Sequence, residues 1–168
     1  MWPCRKAGML LLIVLFWIVN AGQTQPASQK GFVLFTPQEA EQLRLTAKEW
    51  RPPPRKQALP TGPRIVVQRP QVMDSSAGPV IETISPTDFF VFFEVNHAPV
   101  DMCSLRVTAK KGLFSKSLTD RLRPYIQEMN LQANALTIPA GRFLIQIEIA
   151  DQRGAKTEGH YLLWVQER

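Results

Sequence analysis

The side chains that could do chemistry in this chain are few and widely spaced. Its 168 residues include two histidines, His97 and His160, and two cysteines, Cys4 and Cys103. Catalysis by a serine or cysteine nucleophile needs a base positioned beside it, and neither histidine lies in a motif that would provide one. The sequence also lacks GxSxG, HExxH and GxGxxG motifs and an Asp-x-Asp calcium loop. We therefore expect no enzyme, no catalytic residue and no cofactor.

A copper site is the alternative that these residues leave open. Met102, Cys103 and Met129 could join a histidine as soft ligands. However, neighbouring residues of a strand point to opposite faces, so Met102 and Cys103 are poorly placed to share one ion. The sequence puts His97 in a turn and His160 at the start of a strand, where both are expected at the surface. No metal-ligating residue is therefore predicted, and periplasmic copper handling stays as the alternative function.

A charged cluster in "TDRLRPY" also has a structural explanation. Thr119 or Asp120 is predicted to cap a one-turn helix. The segment "KKGLFSKSLTDRLRPYIQ" is predicted to be a crossover, in which Arg121 and Arg123 are expected to be solvated or to form a local ion pair.

The amino terminus predicts export. Arg5 and Lys6 precede an apolar run of eleven residues, Met9 to Val19, and small Ala21 follows polar Asn20. Because a membrane-spanning helix needs about 20 apolar residues, this layout is typical of a signal peptide. We predict a signal peptide over 1–21, cleavage after Ala21, and a periplasmic or extracellular protein in which Cys103 is the only thiol.

The next segment, 22–50, predicts an arm with a helix over about 37–50. In "GFVLFTPQEAEQLRLTAKEW", Thr36 is the expected N-cap, Pro37 the first helical residue and Glu39 the partner of a capping box. Such a short helix is marginal by itself, so its apolar stripe must dock on its own sandwich, which we favour, or on a partner. The stripe consists of Ala40, Leu43, Ala47 and Trp50.

A proline-rich basic linker over 51–63 follows the arm. Its prolines exclude helix and central strand and predict extended backbone at the surface. Residues 22–78 carry eight basic and four acidic residues, whereas 79–168 carry ten of each. The excess positive charge, including Arg51, Arg55 and Lys56, suits either a solvated spacer or contact with an anionic surface.

From Arg64 onward, apolar residues alternate with polar ones. Six or seven strands at this spacing predict an all-β fold, an antiparallel β-sandwich over 64–168. The inward positions are Cys103, Leu105, Val107 and Ala109 in one strand, Phe143, Ile145, Ile147 and Ile149 in another, and Tyr161, Leu163 and Val165 in the last. Leu162 and Trp164 then face outward and need a cover.

Several stretches of 63–168 resemble immunoglobulin-like domains of exported bacterial proteins. They include "IETISPTDFFVFFE", "SLTDRLRPYI" and "IPAGRFLIQIEIADQRGAKTEGHYLLWV". The resemblance implies an immunoglobulin-like fold and a binding or scaffolding role. Residues 139–165 are also similar to the end of periplasmic copper-resistance domains. Those domains hold copper through histidines near the mature amino terminus, and residues 22–40 contain none.

These observations predict an exported, non-enzymatic immunoglobulin-like module that binds or scaffolds in the cell envelope. The expected partner is a protein or an anionic envelope component. No nucleic acid is expected, and membrane contact is expected only through an uncleaved leader. The candidate interaction surface consists of Leu43, Trp50, Arg51, Arg55, Lys56, Leu162 and Trp164.

Overall fold

The computed structural model describes residues 32–49, 61–76 and 78–167. The predicted signal peptide, Trp50 and most of the linker lie outside them. The helices are α1 (Pro37–Leu43), α2 (Thr119–Leu122) and a 3-10 helix (Arg123–Tyr125). The strands are β1 (Arg64–Arg69), β2 (Val72–Ser75), β3 (Gly78–Ile84), β4 (Thr87–Glu94), β5 (Val100–Lys111), β6 (Phe114–Ser117), β7 (Ile126–Gln127), β8 (Asn130–Leu136), β9 (Gly141–Asp151) and β10 (Lys156–Gln166).

The strands form two packed sheets. One sheet has the order β1-β4-β8-β7, and the other has the order β2-β3-β10-β9-β5-β6. Neighbouring strands are antiparallel except for β3 and β10, which run parallel. The immunoglobulin-like β-sandwich is confirmed. The described residues contain ten strands rather than six or seven, because β2, β6 and β7 are too short to show a periodic pattern.

The core lies between the facing sides of the two sheets, as the alternation of apolar and polar residues predicted. Phe143, Ile145, Ile147 and Ile149 of β9 are all buried, which confirms their inward assignment. The other strands contribute further buried apolar side chains: Ile81, Val91, Phe93, Leu105, Val107, Ala109, Leu131, Leu136, Leu163 and Val165. This single cluster holds the two sheets together.

The arm packs into the same core. The capping box of α1 is present: the Thr36 hydroxyl accepts a hydrogen bond from the Glu39 amide at 3.3 Å, and the Thr36 amide donates to the Glu39 carboxylate at 3.0 Å. Ahead of the helix, Phe35 stacks on Phe143, with ring centroids 4.9 Å apart. Ala40 and Leu43 of the stripe, like Phe35, belong to the core. The helix therefore docks on its own sandwich, as we favoured.

Helix α1 is shorter than the predicted span 37–50. It ends at Leu43, and Arg44 is already extended. The next amide, that of Leu45, donates to the Arg142 carbonyl of β9 at 2.8 Å. This bond accompanies the burial of Leu45 and leaves Ala47 exposed. A contact with the sheet thus overrides the helical pattern of the sequence.

Cys103 is exposed, so its inward assignment is wrong. The register between β5 and β9 shifts between Asp101 and Arg106, and the Cys103 amide donates to the Asp101 side chain at 3.0 Å within this irregularity. The shift takes Cys103 out of the alternation that Leu105 continues.

The predicted cap of α2 is also wrong. Its N-cap residue is Leu118, and no side chain caps the helix. Thr119 is buried instead, where its hydroxyl accepts a hydrogen bond from the Val107 amide at 3.0 Å. Asp120 pairs with Arg123 at 3.2 Å, which is the local ion pair expected as the other possibility. Backbone groups of β5 compete successfully for the threonine hydroxyl.

Docking of α1 through Leu43 predicts a stability effect. Leu43 is 4% exposed, so Leu43→Ala should lower the free energy of unfolding by about 2–5 kcal/mol, since it leaves a cavity in the core. Urea unfolding of the full chain measures this loss. Leu113→Ala is the matched control, because Leu113 is fully exposed and its truncation should change stability by less than about 0.5 kcal/mol. Equal effects of the two substitutions would show that α1 is not docked.

Candidate interaction surface

The structure describes three of the seven residues that the sequence assigned to an interaction surface, namely Leu43, Leu162 and Trp164. Leu43 lies in the core, and Leu162 is 1% exposed, so neither is available to a partner. Leu162 is buried although it follows inward-facing Tyr161, because apolar positions on both faces of β10 are covered. Trp164 is half-buried. The other four residues, Trp50, Arg51, Arg55 and Lys56, lie outside the described residues.

Trp164 is covered in part by a neighbouring strand. It pairs in register with Arg142 of β9, whose guanidinium carbon lies 5.0 Å from the centre of the indole ring. A guanidinium over an indole is attracted to the ring and shields it from water. Trp164 therefore has an intramolecular partner on the outer face of the six-stranded sheet.

The arm is tied to the crossover after β6 by an ion pair. Arg121 donates to both carboxylate oxygens of Glu39, at 2.6 and 2.8 Å, and its Nη1 also donates to the Leu34 carbonyl at 2.8 Å. Lys116 of β6 approaches the same carboxylate at 2.9 Å. The expectation that Arg121 is solvated or locally paired is wrong. Its partner lies 82 residues away in the sequence.

Glu39 is the electrostatic centre of this contact. Its side chain is 17% exposed. The hydrogen bonds from Arg121, then the Thr36 amide and Lys116, hold the pKa of Glu39 well below its usual range. The bond to Glu39 in turn raises the pKa of Arg121. Both groups stay charged at neutral pH, and the pair serves to hold the arm in place.

The β5–β6 hairpin carries an exposed apolar tip that the sequence analysis missed. The β5–β6 tip, residues 112–114, consists of Gly112, Leu113 and Phe114. Gly112 has φ +55° and is the first of two turn residues, the position where a type II′ hairpin turn requires glycine. The relative exposure is 104% for Leu113 and 72% for Phe114. These are the two most exposed large apolar side chains of the described residues.

Lysines surround the tip. Lys111 pairs in register with Phe114, and Lys110 precedes it on β5. Lys116 lies two residues after Phe114 and therefore on the same face of the hairpin. All four residues of β6 are exposed. The sequence signal was present in "KKGLFSK", a glycine turn with two apolar residues between lysines, but the segment was assigned to a crossover without strands.

The histidines lie apart from this surface. His97 is exposed in the segment between β4 and β5, and the Nε2 of His160 lies 3.0 Å from a carboxylate oxygen of Glu158 on the same strand. Within the described stretches, no group of three or more His, Cys, Asp or Glu side chains is arranged to hold a metal ion. A search of the same stretches for a helix long and apolar enough to cross a membrane finds none.

The topology and the docked arm define an immunoglobulin-like β-sandwich with an intramolecular helical cover. No family model and no curated protein matches the chain. Among solved structures, CopC from Methylosinus trichosporium OB3b is similar, with a TM-score of 0.34, 15% identity, and coverage of 58% of this chain and 93% of that chain. Murine CRIg is similar with a TM-score of 0.35, 7% identity, and coverage of 62% and 98%. At these TM-scores neither likeness carries an argument, and the fold assignment rests on the sheets themselves.

The Glu39–Arg121 pair predicts that the free energy of unfolding depends on pH in the acidic range. An unfolded glutamate has a pKa of about 4.3, and the folded value is lower, so the contribution of Glu39 is present above pH ~4.3 and is lost as the pH falls toward the folded value. Glu39→Gln should lower the free energy of unfolding by about 1.5–3 kcal/mol at pH 7, the range for hydrogen bonds to charged groups. The difference from the parent chain should shrink below pH 4.

Urea unfolding between pH 7 and pH 3 measures this effect. Glu41→Gln is the control, because Glu41 lies exposed on the same helix and should change stability by less than about 0.5 kcal/mol. A Glu39→Gln variant as stable as the parent at pH 7, or one whose deficit does not change with pH, would contradict this role of the pair.

Proposed function

We propose that this protein is an exported, non-enzymatic immunoglobulin-like module that binds or scaffolds in the cell envelope. The observation that carries the proposal is the β5–β6 tip, where Leu113 and Phe114 are exposed beside lysines. Exposed large apolar side chains grouped at one place on a monomer favour a contact with another surface.

The docked arm supports this proposal because it takes Leu43 out of the candidate interaction surface. Ala40 and Leu43 of the stripe are buried within the chain, and so is Leu162 of β10. Within the part of the chain that the structure describes, Leu113 and Phe114 of the tip stay exposed. We therefore propose the hairpin, rather than α1, as the binding element.

The proposed location rests on the sequence of the leader. Arg5 and Lys6, the apolar run of eleven residues and small Ala21 favour export with cleavage after Ala21. The net charge of the whole chain is +6, and the excess of basic residues lies in 22–78. Such a charge distribution favours a position close to an anionic component of the envelope.

Site-specific crosslinking in intact envelopes tests the proposal. A photo-crosslinking amino acid replaces Leu113 in one variant and Gln152 in the other. Gln152 is the matched control, because it is exposed in the β9–β10 turn and polar. We expect adducts at position 113 at a yield at least about fivefold above that at position 152, since a bound surface excludes water around an apolar anchor. Mass spectrometry measures the yield and identifies the adduct.

Equal yields at positions 113 and 152 would contradict the proposal, because collisions without binding do not distinguish two exposed turns. Both variants should unfold at the same urea concentration as the parent, since neither side chain is buried. This control separates loss of contact from loss of fold.

A further inference from the structure

We infer that the surface contacted by the β5–β6 tip is an anionic lipid surface, into which Leu113 and Phe114 insert. This inference rests on the proposed binding function and names the chemical class of the partner. The sequence predicted membrane contact only through an uncleaved leader, and the exposed tip is the observation that changes this expectation.

The shape of the tip suits a fluid surface. Gly112 and Leu113 form the turn itself, and Phe114 is the first residue after it, so the two apolar side chains occupy the end of a hairpin. Side chains at the end of a hairpin project from the protein surface, so they can enter a lipid interface without a matching groove. Leucine and phenylalanine both gain free energy on leaving water, and aromatic rings favour the headgroup region.

The charges beside the tip are complementary to anionic headgroups. Four cations lie on the hairpin or next to it: Lys110 and Lys111 of β5, Lys116 of β6 and Arg121 of α2. Two carboxylates lie among them. Glu39 binds Lys116 and Arg121, and Glu49 lies 3.9 Å from Lys111. With Asp120 and its partner Arg123 included, five cations face three carboxylates, which leaves a local excess of two positive charges.

The arrangement of lysines and apolar residues fits the depth profile of a bilayer interface. Lysine side chains can lie along apolar groups while their ammonium groups remain at the headgroups. Lys111 is opposite Phe114 in the ladder, and Lys116 is on the same face two residues later. The apolar tip can therefore lie below the headgroups while the lysines stay level with them.

The size of the patch favours lipid over a protein partner. A stable protein interface buries about 800 Å² on each partner, with a central anchor in a fitted pocket. The tip offers two apolar side chains at the end of a four-residue edge strand. Reversible membrane contact needs less area, because weak apolar insertion adds to electrostatic attraction.

Vesicle binding tests the inference with the full chain. Vesicles of phosphatidylcholine with about 30% phosphatidylglycerol are compared with pure phosphatidylcholine vesicles. Leu113→Ser combined with Phe114→Ser should lower the partition coefficient on anionic vesicles by about tenfold or more, because the inserted apolar area is lost. Co-sedimentation measures the partition coefficient.

The matched control is Met73→Ser combined with Ile84→Ser. These two residues are also exposed and apolar, but they belong to β2 and β3, whereas the tip adjoins β5 at the other side of the same sheet. This variant should bind anionic vesicles within about twofold of the parent, since its residues contribute no insertion. Leader and linker are identical in all variants, so they cannot account for a difference in vesicle binding between the variants.

A second measurement identifies the molecule that touches the tip. With the photo-crosslinking residue at position 113, we expect phospholipid adducts on anionic vesicles, and fewer in 1 M salt, where the Debye length falls from ~10 Å at 0.1 M to ~3 Å. Equal partitioning of the two serine variants, or no lipid adduct at position 113, would overturn the inference. In that case a protein adduct at position 113 in envelopes would still support the proposed binding function, whereas failure in both systems would reject both proposals.

Discussion

The bidentate contact between Glu39 and Arg121 determines how the arm and the sandwich become one body. The same carboxylate completes the capping box of α1 and accepts a hydrogen bond from the Thr36 amide. Its acceptor sites therefore fix the start of the helix and its position against the crossover at once. Because both side chains are part-buried, these hydrogen bonds offset the cost of taking the two charges out of water.

The docked arm covers apolar side chains of the sandwich core. Leu34 donates to the Thr137 carbonyl at 2.9 Å, and the Thr137 amide donates to the Phe32 carbonyl at 2.7 Å, so backbone bonds continue the contact ahead of the helix. Leu45 makes the corresponding bond to Arg142 after the helix. The arm thus behaves as an additional edge element. A substitution in it acts on the stability of the whole sandwich.

The docked arm also explains why the proposed contact surface lies at the tip of the β5–β6 hairpin. Lys116 reaches back to Glu39, which places the base of the hairpin beside the arm. Phe114 lies beyond that contact and stays exposed. Leu113 and Phe114 lie outside the Glu39–Arg121 pair, so the proposed insertion can be changed by substitution without loss of that pair, whereas Lys116 and Arg121 belong to both.

Local patterns predicted the local features of this structure. The capping box at Thr36 and Glu39 needs only residues three positions apart in the sequence. The alternation in β9 predicted its buried face. The period of two also predicted the sandwich, which requires apolar faces that cover each other.

Long-range contacts explain the predictions that were wrong. No pattern near Arg121 indicates a partner 82 residues away, and nothing near Leu43 shows that the Leu45 amide will bond to β9 and end the helix. The register shift near Cys103 depends on how β5 pairs with β9. The exposed tip was missed for a different reason, because Leu113 and Phe114 show no periodicity and the turn at Gly112 was not recognised.

The integration of the arm is the central claim, and amide hydrogen exchange tests it most directly. The amides of Leu34 and Leu45 bond to the sandwich, and we predict that they exchange only by global unfolding, with protection equal to that of the amides of β9. Glu39→Gln should reduce protection at Leu34 and Leu45 to the same extent as in β9. Fast exchange of Leu34 and Leu45 in the parent chain, with β9 fully protected, would show that the arm opens independently and would contradict the account.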